Sequence, residues 1–421
     1  MEIEELRRKL AGLWEKTTHN SKESISLLFD NYFETSLVEY KESEGKVLSA
    51  LFGIPYKFGS GNRNLKALYI ISLTSEEGFS KKGVLSELLD KFNKKVEDEF
   101  DFTFLVPHTE LMADYFGSKG YLNSFFISEE RYTPYHNFKN DYFLSLTESD
   151  DKIRELKKNL LEKIIVISEE ENTHFSLNQI INYIEEIEKK GSSAINLSHT
   201  KKDLEYILNE NNIRNLNYFI SYDSDDGKIT GIAFIEKDDL YRLKIVAIYV
   251  SDVCSYYAIL EYIKHKFPDY SLSIIISDTK YQAHNLIQLN YVSPNPNGTD
   301  LDNTFSEIEI PFNYNKLLQP LGMIRILKFE NILEFIAETR SDVDIKLHIR
   351  DYEPSRDLMY IIKNGKFYKE ELGKYKNEKN LLTLSKQELS ELLLRKNDSS
   401  NLIMEAFGIP RLNLQIRLLP F

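Results

Sequence analysis

Apolar residues fall along the chain in two kinds of block, short strand-like runs and stretches where they return every three or four positions, and one succession of blocks occurs twice. The first pass runs GKVLSALFGIPY from Gly45, then KALYIISLT from Lys66. A helical stripe of Val84, Leu85, Leu88, Leu89, Phe92 and Val96 follows, and then FTFLVPHTELMADYFGSKGY from Phe102 to Tyr121. The second pass runs GKITGIAFIEK from Gly227, RLKIVAIYV from Arg242, a stripe of Ala258, Ile259, Tyr262 and Ile263, and LSIIISDTKYQAHNLIQLNY from Leu272 to Tyr291. Both passes predict hairpin, strand, helix, strand, helix. A strand, a crossover helix and a following strand form a unit whose two strands are expected to be parallel neighbours.

Between the passes lie two charged amphipathic stretches, KIRELKKNLLEKIIVI and FSLNQIINYIEEIEKK, so a boundary is expected near Glu148. The second pass closes in a loop rich in Pro, Asn and Gly, SPNPNGTDLDN, then a strand, and a new unit opens near Leu321. That unit predicts a helix at ENILEFIAE, a strand at DIKLHIRD, a hairpin turning at Asn364 and Gly365, and a helix opened by Ser385 with Glu388 three residues on. The expected division is 1–147, 148–320 and 321–421, the last a small α+β domain. It agrees with a length of 421 residues at roughly 100 to 200 per domain.

Composition narrows the function classes. Hydrophobic residues at 42% and charged residues at 28% are ordinary for a globular chain. Neither an apolar run of about 18 residues nor a basic, apolar leader at Met1 is present, so no membrane partner is expected. Cys254 is the sole cysteine, which points to packing rather than a disulfide and to a reducing compartment, the cytoplasm. Sixty-six acidic against 53 basic residues leave a net charge of −13, which disfavours nucleic acid and favours a cationic ligand such as an amine. The eight histidines show no metal spacing, so no metal is expected, and His108 is a contact candidate only. A homo-oligomer is left open.

The segment SLTSEEGFSKKGVLSELL, Ser72 to Leu89, resembles the cofactor loop of the GNAT acetyltransferases, where backbone amides at a helix N-terminus wrap the CoA pyrophosphate. Gly83 matches the central glycine of that loop. Ser80 stands where the family has Arg or Gln, and Leu85 where it has Gly or Ala, while Lys81 and Lys82 keep positive charge beside the glycine. The resemblance implies acetyl-CoA as co-substrate, held by Leu73, Thr74, Ser75, Ser80, Lys81, Lys82, Gly83, Val84 and Leu85. The segment Leu105 to Tyr121 resembles the family's later strand and helix. There the general-acid tyrosine falls on Phe116, which has no proton to give and is carried over as a cofactor contact; Tyr115, about 100° away on the helix, is the candidate acid. Both aromatics also suit a core.

Over its whole length the chain resembles the enhanced-intracellular-survival-like branch of that family. The stretch LRRKLAGLWEKTTHNSKESISLLFDNYF, anchored by Trp14, is similar to its two opening helices, and GMIRILKFENILEF to the start of its sterol-carrier-protein-like unit. The resemblance implies an α/β and α+β chain: two tandem GNAT-like mixed sheets flanked by helices, plus a small C-terminal sterol-carrier-like α+β domain. In this branch the chain's own terminal carboxylate acts as base, which here falls on Phe421 after RLLPF. The second copy reads Ser251, Asp252, Val253, Cys254, Ser255 at the loop position. With no glycine or basic residue there and with a carboxylate present, it is expected to be silent. The implied activity is N-acetyl transfer to a primary amine, a cationic small molecule or a lysine, through a ternary complex. The alternative is a decayed GNAT-fold pseudoenzyme serving as a CoA-binding or assembly protein.

Overall fold

The computed structural model describes residues 3–18, 20–60, 63–76, 83–139, 141, 160–189, 195–214, 216–237, 240–277, 319–350, 358–370, 381–394, 412 and 414–415. The chain opens with α1 (Ile3–Thr17) and α2 (Lys22–Tyr32), the latter capped by Ser21, whose side chain accepts from the Ser24 N–H. Strands β1 (Leu37–Ser43), β2 (Lys46–Ser60) and β3 (Arg63–Ser75) lead to α3 (Val84–Val96), β4 (Phe102–Leu105), α4 (Glu110–Ser118) and β5 (Leu122–Tyr132). Next come β6 (Ile164–Ser168), α5 (Leu177–Lys189), β7 (Ile195–Ser198) and α6 (Lys201–Arg214). They are followed by β8 (Asn217–Asp223), β9 (Ile229–Lys237), β10 (Arg242–Val250), α7 (Val253–Lys266) and β11 (Ser271–Ser277). The remainder holds β12 (Gln319–Ile326), α8 (Phe329–Thr339), β13 (Ile345–Arg350), β14 (Leu358–Lys363), β15 (Lys366–Glu370), β16 (Leu382–Ser385), α9 (Lys386–Leu394) and β17 (Leu414–Gln415).

The repeat read in the sequence is a repeat of structure. Gly45 and Gly227 both adopt positive φ, 76° and 68°, where β1 turns into β2 and β8 into β9. The strand pair β3/β4 is parallel, and so is β10/β11. Each copy also carries a bulge just past its last parallel pair. Ile71 is the extra residue on β3 between pairs Gly53–Ile70 and Phe52–Ser72, and Val246 the extra residue on β10 between pairs Ile235–Ile245 and Phe234–Ala247. The helix expected within 278–291 lies outside the described residues. One expectation is corrected: the end of KIRELKKNLLEKIIVI does not continue an amphipathic stretch. The β-branched run at Ile164–Ser168 forms β6, paired with β8 along its whole length.

The two copies share one continuous sheet. Its order is β17, β7, β2, β3, β4, β12, β5, β11, β10, β9, β8, β6, with β1 on the flank of β2, 13 strands among the described residues. Strand β12 runs antiparallel between β4 and β5, while the far half of β5 pairs with β11. The first copy is therefore completed by a strand some 200 positions downstream, and its own last strand completes the second. Gly322 permits this insertion, since a Cβ there would sit 2.9 Å from the Leu105 carbonyl oxygen.

Helices α2 and α6 make a second link between the copies through buried polar groups. The Tyr32 hydroxyl donates to Asp203 Oδ1 at 2.8 Å, and the Thr200 N–H and hydroxyl donate to Asp203 Oδ2 at 2.7 and 2.6 Å. Ser24 adds a bond to Glu210 Oε1 at 3.2 Å. Replacing Asp203 by alanine leaves the buried Tyr32 hydroxyl without its acceptor, so a loss of about 2–3 kcal/mol is expected, read as a lower denaturant midpoint. A midpoint equal to that of the unaltered chain would mean that this bridge does not hold the copies together.

The last unit is a second sheet, β15–β14–β13–β16, lined by α8 and α9. Its hairpin turns at Asn364 and Gly365, both at positive φ. The expected capping box is present: the Ser385 N–H donates to the Glu388 carboxylate at 2.7 Å and the Glu388 N–H to Ser385 Oγ at 3.2 Å. Asp101 ties α8 to the first copy, accepting from the Lys66 N–H at 2.7 Å and from Asn331 Nδ2 at 2.6 Å.

Candidate functional site

Strands β3 and β4 part company at one end, and the parting makes a cleft. They pair only at Ala67–Phe102, Leu68–Thr103 and Tyr69–Phe104; β4 then stops at Leu105 while β3 continues to Ser75. The bulge at Ile71 falls where they separate, and a bulge bends and twists its strand locally. Beyond it, β2 still pairs with β3 as far as Ser49–Ser75, but the other edge of Ser72–Ser75 has no strand partner among the described residues. Among the described residues, its backbone amides and carbonyls face no strand, and a ligand could pair with them. The two sides of β3 differ as well: Leu73 packs with the apolar cluster of α3 and α4, and Ile71 with the cluster on the opposite face. The segment is pinned by a bond from the Thr74 hydroxyl to that of Thr17, by Ser49–Ser75 hydroxyl contact at 3.1 Å, and by Lys16–Glu76 at 3.6 Å.

The same strand leads to a helix with an open N-terminus. Gly83, the N-cap of α3, has φ +73° and offers no side chain to the orphan amides of the first turn. Among the described residues, nothing lies within 4 Å of where a Cβ would stand. Val84 is buried and Leu85 half-buried under it; Ser80, Lys81 and Lys82 lie outside the described residues. In the second copy the equivalent helix end is closed. The Asp252 carboxylate accepts from the Ser255 N–H at 2.7 Å and from the hydroxyls of Ser251 and Ser255 at 2.8 and 2.9 Å. An internal anion already occupies the position a phosphate would take, and Cys254 packs against the neighbouring core.

The fold is that of the GCN5-related N-acetyltransferases. A conserved protein of unknown function from Enterococcus faecalis V583, described as a probable N-acyltransferase, is 14% identical with a TM-score of 0.63, covering 97% of this chain and 92% of that one. Eis1 from Mycobacterium abscessus is 9% identical with a TM-score of 0.60, covering 97% and 91%. A GCN5-related N-acetyltransferase from Anabaena variabilis ATCC 29413 is 13% identical with a TM-score of 0.60, covering 95% and 90%. No family model and no curated protein matches the sequence.

Within this GNAT fold, α4 follows β4 and is capped by Thr109, which accepts from the Met112 N–H at 3.2 Å. Phe116 is only 3% exposed and stands edge-on to Tyr115 and Tyr121, a core position. Tyr115 is half-buried against the α3–α4 cluster; its hydroxyl oxygen is buried and has no hydrogen-bond partner among the described residues. Burial raises its phenol above the ordinary tyrosine value, and the negative charge of Asp90 on α3 adds to the shift. His108 is exposed at the end of β4.

Residues the sequence did not single out form a buried polar cluster beside the parting strands. Tyr121 donates to Asn93 Oδ1 at 3.1 Å and meets the Thr103 hydroxyl at 2.9 Å, joining α3, β4 and the start of β5, with its phenol pushed up to about 12 by burial. Their signal was a polar residue within an apolar element, Asn93 among Leu89, Phe92 and Val96 on α3, and Thr103 in the otherwise apolar strand Phe102–Leu105. Phe421 lies outside the described residues. Strand β17 pairs in parallel with β7 beside Gly59 of β2, and it runs toward the end of β2 that carries Leu51, the partner of Leu73. Among the described residues no cluster of three His, Cys, Asp or Glu could hold a metal, and no helix is long and apolar enough to cross a membrane.

Proposed function

We propose that this chain transfers an acetyl group from acetyl-CoA to a primary amine through a ternary complex, with the first copy as the working site and the second as a structural partner. The observation that carries this reading is the unpaired edge of Ser72–Ser75 leading to the uncapped N-terminus of α3. Pantetheine is an extended chain of amides, and it would add to that edge as a strand does, placing its pyrophosphate at the helix end near Lys81 and Lys82. A backbone N–H of Leu73–Ser75 would face the thioester oxygen as negative charge develops on it. The neutral amine attacks the carbonyl carbon, the C–S bond breaks, and the thiolate takes a proton from Tyr115. The proton lost by the amine goes to a base, for which we propose the carboxylate of Phe421 in a chain that ends there. The net charge of −13 favours a cationic acceptor, a small polyamine-like molecule or a lysine side chain. The likeness to the enhanced-intracellular-survival-like branch, with a sterol-carrier-like last unit and a cytoplasmic setting, belongs to the same proposal.

Calorimetry with acetyl-CoA is expected to give one site per chain, and a CoA-release assay over polyamines, aminoglycosides and lysine peptides is expected to find turnover. Absence of acetyl-CoA binding overturns the proposal. Binding with no turnover on any amine assigns the chain instead to the decayed, CoA-binding reading.

A further inference from the structure

At the opposite end of β3 from Ser72–Ser75, a cleft of about 490 Å³ lies between the first copy and α8 of the last unit. Its volume is within the range of small-molecule sites, about 300–1,000 Å³. Asp101, 4% exposed, joins the two walls: one carboxylate oxygen accepts from the Lys66 N–H and the other from Asn331 Nδ2, while its carbonyl takes the N–H groups of Leu327 and Lys328 at 2.8 and 3.0 Å. The charges along the cleft are unevenly used. Arg63 pairs with Glu338 across it, Lys95 pairs with Glu39 at 3.2 Å, and the Lys328 ammonium donates to the Asp98 carbonyl. That leaves one cation, Lys66, and three carboxylates, those of Asp98, Glu99 and Glu334, whose charged groups have no hydrogen-bond or ion-pair partner among the described residues. Lys66, Asp98 and Glu99 line the cleft from the first copy and Glu334 from α8.

We propose that this cleft binds a basic α-amino acid. One cation and three carboxylates are the complement of a ligand that carries one carboxylate and two cationic groups. The ligand's carboxylate meets Lys66, and its two cations are shared between Glu334 on α8 and the pair Asp98 and Glu99 just past the end of α3. Its aliphatic stem has Phe335, buried on α8, to lie against. A simple diamine would leave Lys66 unanswered, and a neutral amino acid would supply a single cation for three carboxylates. Because Lys66 lies on β3 and Glu334 on α8, an occupant ties the last unit to the strand that carries Ser72–Ser75 at its other end, about 20 Å away. The acetyl-transfer reading is not needed for any of this.

The test is calorimetry of the full chain without acetyl-CoA, using L-lysine, L-arginine, cadaverine and L-norleucine as probes. Lysine or arginine is expected to bind and to raise the thermal midpoint. Cadaverine lacks the carboxylate and norleucine the side-chain cation, so each is expected to bind at least about tenfold more weakly, the loss of one charge-assisted bond. Lys66→Gln and Glu334→Gln are each expected to weaken the basic amino acid by a similar factor. Both side chains are exposed, so the midpoint of the unliganded variants should stay in place. Since both positions are remote from Ser72–Ser75, that loss also tells this cleft from an acceptor site there. The proposal is overturned if neither basic amino acid binds, if cadaverine or norleucine binds as tightly, or if either variant keeps the affinity of the unaltered chain.

Discussion

Charge reversal at Lys81 and Lys82 together is expected to raise the dissociation constant for acetyl-CoA by about a hundredfold or more, while the fold stays intact. The two residues immediately precede Gly83, which has positive φ and gives the first amides of α3 no side-chain cap. A pyrophosphate at that helix end would meet two cations in the unaltered chain and two anions in the variant. Opposed charges a few ångströms apart near a surface contribute about 1 to 4 kcal/mol each, so reversing two of them exceeds the roughly 2.7 kcal/mol of a hundredfold change. A charge reversal that leaves the apolar core untouched changes folding little, so the thermal midpoint should move by no more than a degree or two. Affinity is read by calorimetry at two salt concentrations, because the difference between variant and parent should shrink as salt screens it. Unchanged affinity in a folded variant would remove the phosphate site from this loop.

That loop also marks where sequence and structure part. The repeat was legible because each hairpin turns on a glycine, Gly45 or Gly227, and each helix buries an apolar stripe at regular spacing. The parallel pairs followed from the crossover, and the capping box from Ser385 and Glu388. The placing of β12 was not legible. Alternation shows that Met323 and Ile324 suit a buried strand but not which strands will flank it, and its partners β4 and β5 lie some 200 positions upstream. Nor could the bulges at Ile71 and Val246 be read, since a bulge is a mismatch between two strands and leaves no mark on either one alone. Strand β6 was obscured by the charged residues before it, although Ile164, Ile165, Val166 and Ile167 carried the β-branched signal. At the helix ends the chemistry was legible: Asp252 in the second copy and glycine in the first. Only the structure gives the consequence, a carboxylate bound to its own helix in one copy and an N-cap with no side-chain bond in the other.

Tyr115→Phe is expected to lower kcat for acetyl transfer by about a hundredfold, the usual scale for an acid catalyst, with KM for acetyl-CoA changed by less than about twofold. The phenol is half-buried and its hydroxyl has no hydrogen-bond partner among the described residues, so the substitution removes no structural bond and leaves no group unsatisfied. A merely packing role would therefore leave kcat unaltered, because phenylalanine keeps the ring. The pH profile adds a sign. An acid must hold its proton to give it, and burial together with the Asp90 carboxylate raises the Tyr115 phenol above its ordinary value of 10. Its protonated form then persists through the alkaline range in which amine acceptors lose theirs, so kcat should climb with pH and begin to fall only above about 10. Asp90→Asn removes the negative charge that helps to hold the phenol protonated. The phenol should ionise earlier, and the descending limb should move to lower pH with the plateau little changed. Asp90 also pairs with Lys119 at 2.7 Å, so Lys119→Met, which removes a cation from Asp90 and leaves the carboxylate in place, serves as the control that should not move the limb downward. Wild-type kcat in Tyr115→Phe, or a limb that Asp90→Asn leaves in place, would exclude Tyr115 as the acid and direct the search to the backbone and solvent at the mouth of the cleft.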